Sequence, residues 1–447
     1  MPMVITNQAM DTHPPLYYIF LNLICSLFEG QYSEWFGIGL NIFFMLCVYF
    51  FLYLLLQYFI KNNYLSMVLS TIFCCSYLAI SMTLFIRMYV LLMALFILQS
   101  WFHLKLYEKF SSEDLLSIEK SWKPCLALAV ITLAGAMTHY YFLIYQCLIA
   151  GIFVIGLWTK KRYRAIWFYV STMVVTGITY VLLYPASINH LFLRYRGREA
   201  VHKFLKETTL FGDAIAMFKS FNFQLFKGSL LNFLAFLVIT TVIMIILKKI
   251  KWSFVLKGFF LILPSIVYFY GVSKASPYVV VRYISPIAAI CYAALVVWAK
   301  YLLDGYVTGI KSKHIANVML CTLFFLTTFY FFTDSFKPTY MLERKEIVDE
   351  LAKQTNYCAY ITGDEYNWKM WEDYVNYPQF SGLFFIDGQA MNPITDTTLL
   401  KQDNLVIYID VALDYNKIKD YLQTYLPFGQ YELMYQNNYT YIVWANN

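Results

Sequence analysis

Asp11 and His13 stand two residues apart immediately ahead of Pro14-Pro15, and four more charged or titratable groups recur far along the chain: Arg87, His139, Lys274 and Arg282. A positioned carboxylate takes a proton, and a guanidinium grips anionic oxygens through paired hydrogen bonds. Tyrosines travel with them: Tyr89 near Arg87, Tyr140 and Tyr141 after His139, and Tyr283 after Arg282. Ionisable groups at membrane depth are costly and usually mark function. Each group also has a plainer reading. Asp11 serves as a helix cap, Arg87 snorkels to headgroups, His139 is a satisfied turn histidine, and Lys274 is ordinary interfacial charge. Tyr89, Tyr140 and Tyr283 belong to the aromatic belt expected of a membrane protein with 40 tyrosines. Singly, none of these signals is specific.

The elements that must bring them together are membrane helices. The chain has 447 residues, 60% hydrophobic and only 14% charged, too few charges to cover a water-facing surface of this size. Its apolar residues fall in blocks at 36–60, 64–83, 86–105, 124–139, 141–158, 165–184, 228–247, 254–272, 280–301 and 314–333. Most have the roughly 17 to 25 residues that cross hydrocarbon, which predicts about ten spans. Sixteen Lys and Arg, among them Lys61, Lys109, Lys161, Arg164, Lys249 and Lys311, lie in or beside one set of loops. The opposite short loops hold only Arg87, Lys274 and Arg282. The positive-inside rule makes the first set cytoplasmic. Every chemistry-bearing residue named above then lies at an outer helix end.

Three segments complete the organisation. Residues 14–28 are short for a span and enter on prolines, so they are read as a helix along the outer interface. An amino terminus outside the membrane leads to the expectation that a further transmembrane helix precedes this sequence. The outer loop 185–227 holds seven bases against three acids. Its Val201, Phe204, Leu205, Phe211, Ile215 and Phe218 recur at near-helical spacing, an amphipathic pattern that serves either as a headgroup-binding face or as a phosphate cradle. From Asp334 onward the chain is acidic, with 8 Lys and Arg against 16 Asp and Glu. There a helix at 343–354, strands at 357–362, 383–386 and 405–410, a helix at 415–424 and a final strand pair read as a small α/β unit. One of the nine cysteines, Cys358, falls in it, so no disulfide staples that unit. The chain carries no zinc-like cysteine spacing, Gly-rich phosphate loop or nucleophile elbow. The fold class is therefore mainly α: a polytopic transmembrane bundle, residues 1–333, with an extracytoplasmic α/β domain, residues 334–447, in a multi-pass protein of the cell membrane.

The string Asp11-Thr12-His13-Pro14-Pro15-Leu16-Tyr17-Tyr18 resembles the D-x-H-P-P-L-Y-Y signature of bacterial glycosyltransferases related to protein O-mannosyltransferases and aminoarabinose transferases. Arg87-Met88-Tyr89, Thr138-His139-Tyr140-Tyr141 and Lys274-Ala275-Ser276-Pro277 followed by Arg282-Tyr283-Ile284-Ser285-Pro286 agree with that family in order and spacing. The resemblance implies the GT-C fold, a polyprenyl-phosphate-linked sugar as donor, and catalysis on the extracytoplasmic face with a glycan, lipid or protein acceptor of the cell envelope. It implies Asp11 as the catalytic carboxylate, with His13, Arg87, Lys274 and Arg282 on the donor phosphate. Tyr89, His139, Tyr140 and Tyr283 would line the substrate pocket. The chain departs from the pattern in lacking a first outer loop with an acidic pair, and in carrying His13 and Arg87 where aminoarabinose transferases carry Lys and, nearby, Asp. No organic cofactor or nucleic-acid partner is expected beside membrane lipids, and a divalent metal is allowed but not required. The competing classes are an inactive, truncated relative acting in envelope assembly and a transporter of a lipid-linked substrate, which would keep charges at the bilayer midplane on broken helices.

Overall fold

Hydrocarbon offers no water to an unpaired amide, so the apolar blocks close their backbone hydrogen bonds within themselves as helices. The computed structural model describes residues 2–11, 13–28, 33–112, 122–193, 198, 201–204, 211–276, 280–307, 309–329, 342–363, 380–426, 428–436 and 440–446. Thr12, Leu205 and Pro277 lie outside them. The chain forms two compact units, Met1–Thr333 and Asp334–Asn447.

In the first unit, α1 (Pro2–Met10) and α2 (Leu16–Ser26) precede α3 (Glu34–Ile60), α4 (Asn63–Cys74), α5 (Tyr77–Leu84) and α6 (Tyr89–Ser112). Then follow α7 (Trp122–Ala136), α8 (Tyr141–Thr159), α9 (Tyr163–Leu183), α10 (Gly212–Phe226), α11 (Leu230–Ile246), α12 (Trp252–Ala275), α13 (Ala288–Tyr306) and α14 (Ile310–Thr328). Among the described residues six helices are long and apolar enough to cross a membrane: α3, α6, α8, α9, α12 and α13. A seventh span arises if α10 and α11 count as one, bent by 86°. This is a multi-pass membrane protein.

Local chemistry explains where the helices start and stop. Ser33 caps α3 by accepting the Trp35 amide, and Lys61 ends it in the left-handed region, φ 55°. The expected span 64–83 is broken in two because Ser76 leaves the helical region and caps α5, accepting the Ala79 amide. Ser76 also forms an isolated antiparallel bridge with Phe329. The block 280–301 is helical only from Ala288; Val281–Tyr283 and Ser285–Ile287 are tighter 3₁₀ turns. Pro286 accounts for this late start, since it supplies no amide and favours a helix's first turn. The loop 185–227 is not one amphipathic helix. Among its described residues it holds a single turn at Ala186–Ile188, a π-helical turn at Asn189–Leu193, helical residues at 201–204, and α10 after a break at Phe211.

Helix α6 is the axis of the bundle. Every residue from Met88 to Ile97 is buried, as expected of a helix apolar all round, and α6 meets α3, α7, α8, α12 and α13. Two glycines allow close approach, one beside the start of α6 and one across the α7–α8 turn. A Cβ on Gly37 of α3 would meet Ile86 at 2.2 Å, and one on Gly135 of α7 would meet the Phe142 ring at 2.4 Å. Tyr89 is thereby buried at the base-poor end of the bundle, with Arg87 exposed beside it.

The second unit has α15 (Leu342–Leu351), α16 (Tyr415–Tyr425) and a five-stranded sheet of β1 (Tyr357–Thr362), β2 (Gly382–Asp387), β3 (Asn404–Asp410), β4 (Gln430–Gln436) and β5 (Thr440–Asn446). The order is β2-β1-β3-β5-β4. Strand β1 is parallel to β2 and β3, and β5 is antiparallel to β3 and β4. Side chains alternate between faces. Ala359, Ile361, Ile407 and Ile409 pack with Ile418 and Leu422 of α16, whereas Cys358, Tyr360, Val406 and Tyr408 pack with Val348 and Leu351 of α15. Asp414 caps α16 on the Asn416 and Lys417 amides.

Candidate functional site

Helix α7 ends at a turn, Met137–Tyr140, that organises the site. The Leu16 amide donates to the Met137 carbonyl at 2.9 Å, so the segment carrying Asp11 and His13 is stitched to this turn although more than 120 residues separate them in sequence. Asp11 Oδ2 lies 3.3 Å from His13 Nδ1. The His13 ring meets His139 edge-on, centroids 6.1 Å apart. His139 in turn meets Tyr89 at 5.9 Å and Tyr141 at 4.7 Å. Both tyrosines reach Tyr283, Tyr89 at 6.3 Å and Tyr141 at 5.8 Å. One unbroken run of rings thus joins residues 13, 139, 89, 141 and 283.

Two guanidiniums flank it. Arg282 lies over the Tyr283 ring at 5.3 Å and the Phe85 ring at 5.6 Å, within the reach of cation–π attraction. Phe85 stacks on Tyr89 at 6.0 Å. Arg87 donates from a terminal nitrogen to the Tyr18 hydroxyl at 2.9 Å, and it is near enough to Arg282 for the two charges to repel. A buried asparagine fixes this side. Asn41 of α3 donates to the carbonyls of Thr83 (3.1 Å) and Phe85 (2.8 Å) and accepts from the Tyr17 hydroxyl at 3.2 Å. The backbone that leads into Arg87 is therefore tied to the helix bearing Tyr18. Behind Tyr283, the Tyr268 hydroxyl donates to its carbonyl at 3.0 Å.

The cluster is graded in exposure. Tyr89 and His139 form a floor, 4% and 7% exposed. The side chains of Asp11 and His13 stand on the rim, 47% and 31% exposed. Burial, and secondarily the His13 charge, holds the His139 imidazole down to about 3. Its Nδ1 accepts the Tyr141 amide at 3.1 Å, so the neutral ring carries its proton on Nε2. The arrangement has a proton acceptor, cations for an anion and an aromatic wall. Among the described residues no three His, Cys, Asp or Glu converge as a metal centre.

Seven of the nine residues singled out from the sequence meet here: Asp11, His13, Arg87, Tyr89, His139, Arg282 and Tyr283. Lys274 does not. It is buried near the end of α12, and among the described residues no hydrogen bond, ion pair or ring contact joins its side chain to the run. The neighbouring Ser276 carbonyl accepts from Lys203, which pairs with Asp213 at 2.7 Å. Tyr140 turns its hydroxyl to His190 Nδ1 at 2.5 Å. Tyr18, Phe85, Asn41 and His190 were missed. Asn41 carried a signal, being a polar residue in an otherwise apolar block; His190 carried none. A second buried polar set lies inside the bundle, where His103 bonds the Tyr169 hydroxyl at 2.8 Å and the Gln99 carbonyl at 2.9 Å.

No protein-family model matches this chain, and no curated protein matches it. Among solved structures, ArnT from Cupriavidus metallidurans in the apo state is similar, with a TM-score of 0.50 at 10% identity over 97% of this chain and 87% of that one. The archaeal oligosaccharyltransferase AglB from Archaeoglobus fulgidus, solved with an inhibitory peptide and a dolichol-phosphate, gives 0.45 at 8% identity over 96% of this chain and 66% of that one. The likeness to ArnT is one of fold, and in this chain that fold is a helical membrane body followed by a small sheet-containing unit at the carboxyl end.

Proposed function

We propose that this chain is an integral membrane glycosyltransferase that moves a sugar from a polyprenyl-phosphate donor to a cell-envelope acceptor at the outer face of the membrane. The observation that carries the reading is the single run of contacts from the Asp11–His13 pair through His139, Tyr89 and Tyr283 to Arg282. An apolar groove supports it. About 750 Å³ lies open between α10, α11, α12 and α13, lined by Phe218, Leu234, Gly258, Ile262 and Ile287 among others. Ile287 follows Arg282 on the same short stretch of turns, so a lipid chain in the groove would bring its phosphate toward that guanidinium. The ArnT-type fold and the dolichol-phosphate named with AglB are in keeping with a lipid-linked donor.

In the proposed reaction an acceptor oxygen attacks C1 of the sugar. The bond from C1 to the phosphate oxygen breaks, and polyprenyl phosphate departs with the bonding pair. A phosphate is already a stable anion and needs little acid help; what it needs is fixed positive charge where charge develops. Arg282, Arg87 and His13 serve that need, with the planar guanidinium suited to two oxygens at once. Lys274 keeps a donor-phosphate role only if a bound donor reaches its buried position. Asp11 takes the proton of the acceptor hydroxyl. Tyr89, His139 and Tyr283 form the wall that orients the sugar, and in-line attack inverts the anomeric centre. The C-terminal unit faces outside under the charge pattern and binds or shields.

The test is transfer of label from radiolabelled undecaprenyl-phosphate hexoses and pentoses to an envelope extract by the purified chain. Asp11→Ala or Arg282→Ala should each lower turnover by roughly 10²-fold or more, the scale of losing a general base or a charge-stabilising donor. Turnover unchanged in both variants would remove the assignments, and absence of transfer with every donor would favour an assembly or transport protein.

A further inference from the structure

We propose that His190 is a positioning residue which, with Tyr140, clamps the segment carrying Asp11 and His13 against the Met137–Tyr140 turn. The proposal rests on reading Asp11 as the proton acceptor and adds a residue outside the cluster. His190 lies in the π-helical turn Asn189–Leu193 and is 3% exposed. Its Nε2 is 3.0 Å from the Ala9 carbonyl oxygen, and its Nδ1 is 2.5 Å from the Tyr140 hydroxyl. A carbonyl only accepts, so Nε2 carries the proton. The neutral ring then offers Nδ1 as an acceptor, and Tyr140 donates. The Tyr184 ring backs the imidazole at 5.9 Å, inclined by 73°.

Ala9 sits in the last turn of α1, where the carbonyls have no partner within the helix. None of the described side chains of α1 is buried, so apolar packing contributes little to holding it in place. His190 gives one of those carbonyls a donor. Seven residues later, the Leu16 amide donates to the Met137 carbonyl at 2.9 Å. Residues 10–15 are therefore held at both ends to the turn that bears His139. At one end the link is direct; at the other it runs through His190 and Tyr140. The clamp fixes how far Asp11 and His13 stand from His139. An imidazole suits the task because it carries a donor and an acceptor on separate sides of one rigid ring. A carboxamide carries both on one end, and so replaces it only in part.

The experiment uses the full chain in lipid nanodiscs with His190→Ala, Tyr140→Phe and His190→Gln. Amide hydrogen exchange of residues 3–13 should accelerate in the first two and recover in part in the third, with α3 unchanged. With the radiolabelled undecaprenyl-phosphate sugar that serves the unaltered chain, kcat should fall about 10- to 100-fold while KM for the donor moves less than about threefold, as for a group displaced by an ångström. In an Asp11→Asn background, His190→Ala should cost nothing further, because it acts through Asp11. Exchange unchanged in both His190→Ala and Tyr140→Phe, or the same proportional loss in both backgrounds, overturns the clamp. If Asp11→Asn alone leaves kcat intact, the catalytic reading fails, while exchange still decides the clamp.

Discussion

His139 sits at the middle of the ring cluster, and its state follows from what surrounds it. Burial, then the nearby His13 charge, keeps it neutral down to about 3, whereas in an unfolded chain it takes a proton near 6.5. Between those values the unfolded state holds one more proton. Stability must therefore fall as pH drops from 6.5 toward 3, by about 1.4 kcal/mol per pH unit from this residue. His139→Gln, which cannot charge, should flatten that slope in detergent melts between pH 7 and 4; an identical slope would show that the imidazole does not titrate on unfolding. Residue types were legible in the sequence, because charges stand out in a chain that is only 14% charged. Directions of side chains were not. Nothing in Thr138-His139-Tyr140-Tyr141 says that Tyr141 faces Tyr283 while Tyr140 faces His190; that is set by the turn on which they sit.

At the scale of elements, the described strands and helices of the C-terminal unit were readable to within a few residues, since short continuous apolar runs and the Asp414 cap are local signals. The break at Ser76 was not. A hydropathy window sees Ser76 as one polar residue within an apolar block, and its partner, Phe329, lies 253 residues on. Helix packing tests the site as well. In α3, a methyl on Gly37 would strike Ile86, the neighbour of Arg87, while a methyl on Gly39 meets nothing within 4 Å. Gly37→Ala should destabilise the protein by about 1–3 kcal/mol, as overpacking does, and by shifting Arg87 lower turnover by up to about 10²-fold. Gly39→Ala should leave the melting temperature and turnover where they were. Equal behaviour of the two would separate Gly37 from the site.

At the scale of the whole molecule, sequence alone found the helical body and its charge asymmetry, but not the groove, which is the product of four helices packing with an 86° bend between two of them. Gly258 opens onto that groove, and a Cβ there meets nothing within 4 Å. Gly258→Leu should thus fold normally while displacing two or three methylenes of a bound chain. At about 0.8 kcal/mol each, that raises KM for an undecaprenyl donor roughly tenfold or more. A donor with only two isoprene units should be unaffected, and equal KM changes for both would mean that the tail lies elsewhere.

The bridge between Ser76 and Phe329 reaches into biosynthesis. Helix α4 rises about 18 Å before it stops, at 1.5 Å per residue over its 12 residues, more than half of a roughly 30 Å hydrocarbon core, and backbone within such a core tolerates irregularity only when protein supplies its partners. Phe329 follows the last helix of the membrane unit to leave the ribosome. The Ser76 amide and carbonyl are already held by Phe73 and Ile80, so what Phe329 adds is the lateral partner of the break, and a chain stopped short of residue 329 should turn over faster in a pulse-chase than one that includes it.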